Sequence, residues 1–336
     1  MLLFIFEFQI FYFEFALKGG IMPFIDWPLK KLKSYKPQLT REKDFDSFWK
    51  KNHAESKKQP LKPEFIKIDY PVKSLDVYKV FFEGFGGGRI CGWYLSPKGS
   101  AKNPTILCFH GYSGGKGFVY DWIGWALQGY TIFSVDTRGQ FGESQDHAKY
   151  PAGHFIGWMT QGILDPDTYY YTYAFMDGIR ALDLLETRKE VDPKRIGVMG
   201  ASQGGGLSIA AAALAGKRVR TVITDVPYLC HYRRAVETAT GNPYLELNNY
   251  MRFKPEDEEL IFRTLSYFDG MNLAPMITAK TMVSVGLADG ICPPSTVFAA
   301  YNHLKCKKEL IVFTYWAHEV LGPLNEKRVK WMAGNL

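Results

Sequence analysis

The chain holds 336 residues, 46% hydrophobic and 22% charged, with a net charge of +7. That balance belongs to a globular protein and excludes a collagen-like, disordered or multi-span membrane chain. The charge is diffuse and no Lys/Arg block forms a stripe, so neither nucleic acid nor a membrane is expected as a partner.

Residues 1–21 are apolar and aromatic, but Glu7 and Glu14 interrupt the run. No positive segment opens it and no small-residue cleavage site follows, so neither a signal peptide nor a membrane span fits. The codons of Lys18-Gly19-Gly20 can spell a purine-rich ribosome-binding site just ahead of Met22. The expectation is that residues 1–21 are a non-native leader and that 22–336 form one domain. With no credible export signal, the cytoplasm is the expected location.

A helix is predicted over 42–57, then a β-hairpin over 77–85 and 89–95 joined at Gly86-Gly87-Gly88. No helix follows these glycines, so they read as a turn and not as a phosphate cradle. From residue 105 short apolar β runs alternate with helical stretches. Strands are predicted at 105–109, 131–135, 195–199, 219–225, 281–286 and 309–314, and helices at 118–127, 171–187, 203–214 and 295–304, with a helical C-terminal segment. Such alternation implies an α/β fold: a mostly parallel central sheet with helices on both faces. Residues 228–275 break the rhythm and read as a helical insertion over the carboxyl edge of the sheet.

The strand at 195–199 runs into Gly200-Ala201-Ser202-Gln203-Gly204, with a small-residue helix behind it. This is G-x-S-x-G in strand–turn–helix context, which lifts a serine hydroxyl to the sheet edge. A serine nucleophile needs a histidine to take its proton and an acid to orient that histidine, in the chain order Ser, acid, His. Of seven histidines, those before Ser202 fail on order, His303 lies inside a predicted helix, and His231 comes too early. His318, in a short loop after the last strand, is the expected base. Asp225 and Asp289 both end strands after Ser202. Asp289 is favoured because the acid commonly comes from a later strand end; Asp225 reads as structural. An oxyanion needs two N–H donors. The expected pair is the backbone N–H of Gln203 and that of Tyr112, in the loop His110-Gly111-Tyr112. His110 is read as steadying that loop. Tyr112 and Pro227 are expected in the acyl pocket. Five cysteines without C-x-x-C spacing argue against a disulfide framework or a zinc site, and no metal or cofactor is expected.

Together these residues resemble the acetyl xylan esterase/cephalosporin C deacetylase family, carbohydrate esterase family 7. The likeness rests on Arg138-Gly139-Gln140, Gly200-Ala201-Ser202-Gln203-Gly204 and His318-Glu319. Supporting stretches begin at Gly162, Asp225 and Cys292, and the likeness runs from about Met22 to the carboxyl terminus. The resemblance implies an α/β-hydrolase fold that deacetylates small acetylated sugars, such as xylo-oligosaccharides, and cephalosporin C. It implies Ser202, Asp289 and His318 as the triad and a homohexamer with active sites facing an internal cavity. Arg138, Gln140 and Glu319 are read as structural, with Arg138 and Glu319 pairing to hold the histidine loop. Two rival classes are a serine peptidase of the oligopeptidase type and a non-catalytic binding protein on a hydrolase scaffold. The first usually carries a large extra domain for which this chain has no room; the second has usually lost a triad member.

Overall fold

The computed structural model describes residues 25–336; the segment 1–21 expected to be a leader lies outside them. Among the described residues nine strands form one sheet. They are β1 (Glu64–Ile68), β2 (Leu75–Glu83), β3 (Arg89–Pro97), β4 (Asn103–Phe109), β5 (Thr131–Val135), β6 (Val191–Ala201), β7 (Thr221–Asp225), β8 (Lys280–Gly286) and β9 (Lys308–Phe313). Their spatial order is β1-β2-β3-β5-β4-β6-β7-β8-β9. The first four in that order pair antiparallel and the six from β5 to β9 pair parallel. The chain has an α/β-hydrolase fold: the alternating pattern implies its mostly parallel sheet, and the family resemblance implies the hydrolase fold.

The central strands are buried and largely apolar because both faces are covered. Ile106, Cys108, Ile132, Met199, Ile223 and Met282 point into one layer, against Val119 and Ala126 of the helix Val119–Leu127 and Leu324 and Met332 of the C-terminal helix Gly322–Asn335. The alternate residues Leu107, Phe109, Phe133, Val198, Val222 and Val283 point into the other. There they meet the helices Tyr170–Glu186, Gln203–Ala215 and Pro294–His303. No helix among the described residues is long and apolar enough to cross a membrane.

Register decides where the chemistry gathers. Phe109 pairs with Gly200, Ala201 with Asp225, Asp225 with Ser284, and Gly286 with Phe313. The loops after β4, β6, β7, β8 and β9 therefore leave one edge of the sheet, the carboxyl edge where open α/β sheets bind their ligands. Those loops carry Tyr112, Ser202, Pro227, Asp289 and His318. Four short helices within the 228–275 insertion lie at this edge: Tyr232–Thr238, Tyr244–Phe253, Glu258–Ser266 and Gly270–Leu273. Thr240 N–H donates to Gly290 O at 2.8 Å, tying the insertion to the Asp289 loop.

One strand and one α-helix are not among the elements expected. β1 is a half-exposed edge strand whose charged Glu64 and Lys67 hide any alternation. The helix Leu29–Ser34 is a six-residue lysine-rich segment that buries only Leu32.

Candidate active site

Ser202 sits at the sharp turn between β6 and the helix Gln203–Ala215, at φ 57° and ψ −121°. A non-glycine residue held there costs about 1–3 kcal/mol, so its surroundings must enforce it. They do: Ser202 N–H donates to Asp225 O (2.9 Å), while Tyr228 N–H (2.9 Å) and Gly206 N–H (3.1 Å) donate to Ser202 O. The flanking glycines are steric requirements. A Cβ on Gly204 would lie 2.2 Å from Phe109 O, and one on Gly200 would lie 2.3 Å from Gly204 O.

His318 and Asp289 come together from the loops after β9 and β8. Leu287 N–H donates to Phe313 O and Ala288 N–H to Trp316 O, both at 3.0 Å, which stitches the two loops side by side. His318 Nδ1 lies 2.8 Å from Asp289 Oδ2. Asp289 is fully buried, and its Oδ1 accepts the N–H groups of Ile291 (2.9 Å) and Cys292 (2.8 Å). An Nδ1–H given to Asp289 leaves Nε2 as the basic nitrogen of His318. The fully buried Cys292 thiol lies against the Ser202 side chain, and burial pushes it well above the ordinary thiol range. Ligand-capable atoms of Asp289, Cys292 and His318 lie within 4.8 Å of one another. These three are the side chains that would have to hold a metal, yet both Asp289 oxygens already accept N–H donors. The arrangement orients an imidazole at the sheet edge that carries the serine.

The other candidates are occupied elsewhere. Asp225 accepts from Arg328 Nε (2.7 Å) and Ser284 Oγ (2.6 Å). His110 Nε2 accepts Thr137 N–H (2.8 Å), so its Nδ1–H donates to Gly111 O (2.7 Å) and the ring braces the loop. His231 bonds Tyr35 and His303 bonds Pro37 O.

The loop after β4 folds over Ser202: a Cβ on Gly111 would stand 3.8 Å from Ser202 Cβ. The backbone N–H groups of Tyr112 and Gln203 make no turn or loop hydrogen bond among the described residues. The Arg-Gly-Gln motif braces both. Gln140 and Gln203 form a reciprocal amide pair, Gln140 Nε2 to Gln203 Oε1 at 2.8 Å and Gln203 Nε2 to Gln140 Oε1 at 3.0 Å. Gln140 Oε1 also accepts Ser113 N–H (2.9 Å), and Tyr171 O–H donates to Gln203 Oε1 (2.9 Å).

The expected Arg138–Glu319 pair does not form. The buried Arg138 fork donates to both Asp177 oxygens (2.7 Å each), to Phe85 O (2.6 Å) and to Asp146 (3.3 Å). A buried guanidinium needs all its donors met, and Asp177 on the neighbouring helix supplies a bidentate partner. Glu319 instead faces the backbone of Ala317, where burial raises its carboxyl. Arg138→Met is expected to cost about 3–5 kcal/mol, because it strands a buried carboxylate; a urea unfolding curve measures this. Pro227 lines a small internal void with Ile209, Thr224 and Val297. Glu246 was invisible in the sequence: it is a single acid on an insertion helix, 134 residues from the Tyr112 it bonds.

A strained serine at a strand–helix turn, with an Asp-oriented histidine on the same α/β sheet edge, defines the α/β-hydrolase class of enzyme. The acetyl xylan esterase (AXE1) family model matches residues 22–335. The fold superposes on an acetyl xylan esterase from Paenibacillus sp. R4 with a TM-score of 0.90 and 45% identity, covering 92% of this chain and all of that one, 100%. It superposes on acetyl xylan esterase 1 from Thermoanaerobacterium sp. JW/SL YS485 with a TM-score of 0.88 and 36% identity, covering 92% and 99% of the two chains. Acetyl esterase Axe7A of Xylanibacter ruminicola is 28% identical over 305 residues, 88% of this chain and 68% of that protein. The chain belongs to the acetyl xylan esterase family and is a carboxylic ester hydrolase.

Proposed function

We propose that the chain removes acetyl groups from small acetylated saccharides, xylo-oligosaccharides among them, and from cephalosporin C, through an acetyl-enzyme on Ser202. The observation that carries this is the His318 Nδ1 to Asp289 Oδ2 contact of 2.8 Å beside a serine on a nucleophile elbow. Ser202 Oγ attacks the acetyl carbonyl while His318 Nε2 takes its proton. Asp289 holds the imidazole in the right tautomer and stabilises the imidazolium. The Tyr112 and Gln203 N–H groups receive the oxyanion. His318 gives its proton to the departing alkoxide, then activates water to split the acetyl-enzyme, releasing acetate.

The resemblance supports a homohexamer, which a light-scattering mass of six chains would test. Five free cysteines, four of them buried, are the state a reducing compartment maintains, which supports a cytoplasmic setting.

The function is tested by an acetate-release panel of acetylated xylobiose, glucose pentaacetate and cephalosporin C, beside p-nitrophenyl esters from C2 to C8. The expected result is acetate release from the saccharides, with the butyrate ester at least about tenfold slower than the acetate ester in kcat/KM. An octanoate ester turned over as fast as the acetate, or peptide amides turned over faster than acetyl esters, would overturn the reading.

A further inference from the structure

We infer that Glu246, on the insertion helix Tyr244–Phe253, is a positioning residue that holds Tyr112 so that its backbone N–H faces the oxyanion. The inference rests on the proposed role of Tyr112 as an oxyanion donor.

Glu246 is 5% exposed, and among the described residues no lysine, arginine or histidine forms an ion pair with it. Burying a carboxylate without a cation is unfavourable, and burial pushes this one up to about 7. Its contacts show what it does there. Tyr112 O–H lies 2.9 Å from Glu246 Oε1 and 3.0 Å from Oε2. The same phenol oxygen accepts the N–H of Trp158 (2.6 Å) and of Met159 (3.2 Å), and Met159 N–H is shared with Glu246 Oε2 (3.1 Å). With two N–H groups pointed at its oxygen, the phenol must spend its single proton on Glu246. Three separate segments therefore meet at one carboxylate: the loop over Ser202, the stretch 157–159, and the insertion.

The packing leaves little slack. Gly157 stands at φ +90°, and a Cβ there would lie 2.3 Å from Glu246 Oε1. The Tyr112 ring is flanked edge-on by Trp158 (5.3 Å) and Tyr228 (6.1 Å), and Tyr228 N–H is bonded to Ser202 O. On its other side the loop is pinned by Gln140 on Ser113 N–H. Glu246 grips the ring end of the residue whose backbone end offers the oxyanion donor. The titratable groups that face Glu246 are the phenols of Tyr112, Tyr169 and Tyr228. An oxyanion donor acts only when fixed near 2.7–3.1 Å from the developing charge, and loss of one costs about 10²–10³ in kcat. Loosening a donor should cost part of that.

The test compares Glu246→Gln and Tyr112→Phe, singly and combined, in the full chain, with rates normalised to active sites titrated by a fluorophosphonate. Both single variants are expected to lower kcat for p-nitrophenyl acetate about tenfold with KM within twofold. Affinity for methylboronic acid, which mimics the tetrahedral acetyl intermediate, should fall by the same factor. The double variant should lose no more than either single one, because both act through the same contact, the Gln by replacing the charged acceptor and the Phe by removing the donor. Wild-type kcat and boronate affinity in Glu246→Gln, or multiplying losses in the double variant, would overturn the positioning role. A crystal structure of the wild-type boronate adduct separates this from the underlying reading. A boronate oxygen out of hydrogen-bond reach of Tyr112 N defeats the oxyanion assignment and the inference with it. A boronate oxygen at that N–H, combined with unaltered variants, defeats the Glu246 role alone.

Discussion

Replacing Ser202 with alanine is expected to lower kcat on acetyl esters by on the order of 10⁶-fold, the loss seen when a Ser–His–Asp hydrolase loses its serine. The size of the effect follows from what surrounds the hydroxyl. The other nucleophile in contact with it is the Cys292 thiol, and burial holds that group protonated. A neutral thiol is a poor nucleophile, so Cys292 does not take over. What survives in Ser202→Ala is the rate from oriented N–H donors and substrate binding alone. The substitution removes one oxygen and leaves intact the backbone bonds that shape the turn, Ser202 N–H to Asp225 O and Tyr228 N–H to Ser202 O. The variant should therefore fold with a melting temperature near that of the parent. Steady-state kinetics on p-nitrophenyl acetate, with circular dichroism melts alongside, give both quantities. A loss of only a few-fold in a folded variant would refute Ser202 as the nucleophile.

Much of this site could be read along the chain because its parts are local. Gly200-Ala201-Ser202-Gln203-Gly204 lies within one strand–turn–helix unit, and the steric reason for its glycines is local as well. Strand-end position and chain order pointed to His318, and register then placed it beside Asp289. The apolar strands were legible for the same reason: a strand buried on both faces is a continuous hydrophobic run. What escaped depends on which distant side chains the fold brings together. Arg138 had to find a carboxylate, but only the packing of the helix Tyr170–Glu186 shows that it is Asp177 and not Glu319. The Gln140 to Gln203 amide pair spans 63 residues, and nothing in either neighbourhood announces it. Glu246 is one acid among many until the insertion folds down on Tyr112. β1 was hidden for a different reason, since a half-exposed edge strand with Phe65, Ile66 and Ile68 divided between its faces shows no apolar/polar alternation.

Asp289→Asn should lower kcat by about 10⁴-fold while leaving the fold in place. The amide is the same size as the carboxylate, and its orientation is dictated by the loop. Asp289 Oδ1 accepts two backbone N–H groups, from Ile291 and Cys292. Turning the amide round would point an NH2 at both donors, so the asparagine must keep its oxygen there and present its NH2 to His318. His318 Nδ1 then has to accept that hydrogen bond, which moves the ring proton to Nε2, the nitrogen that should take the proton of Ser202. The variant would hold a well-placed imidazole in the wrong tautomer. Asp225→Asn is the matched control, because the sequence offers Asp225 as the rival acid. Its carboxylate is engaged by Arg328 and Ser284. Neutralising it should weaken the anchoring of the C-terminal helix and lower the melting temperature, with kcat within a few-fold of the parent. Nitrogen-15 spectra of His318 in Asp289→Asn should show the proton on Nε2. The reverse pattern, with Asp225→Asn inactive and Asp289→Asn active, would reassign the acid to the strand beside the nucleophile.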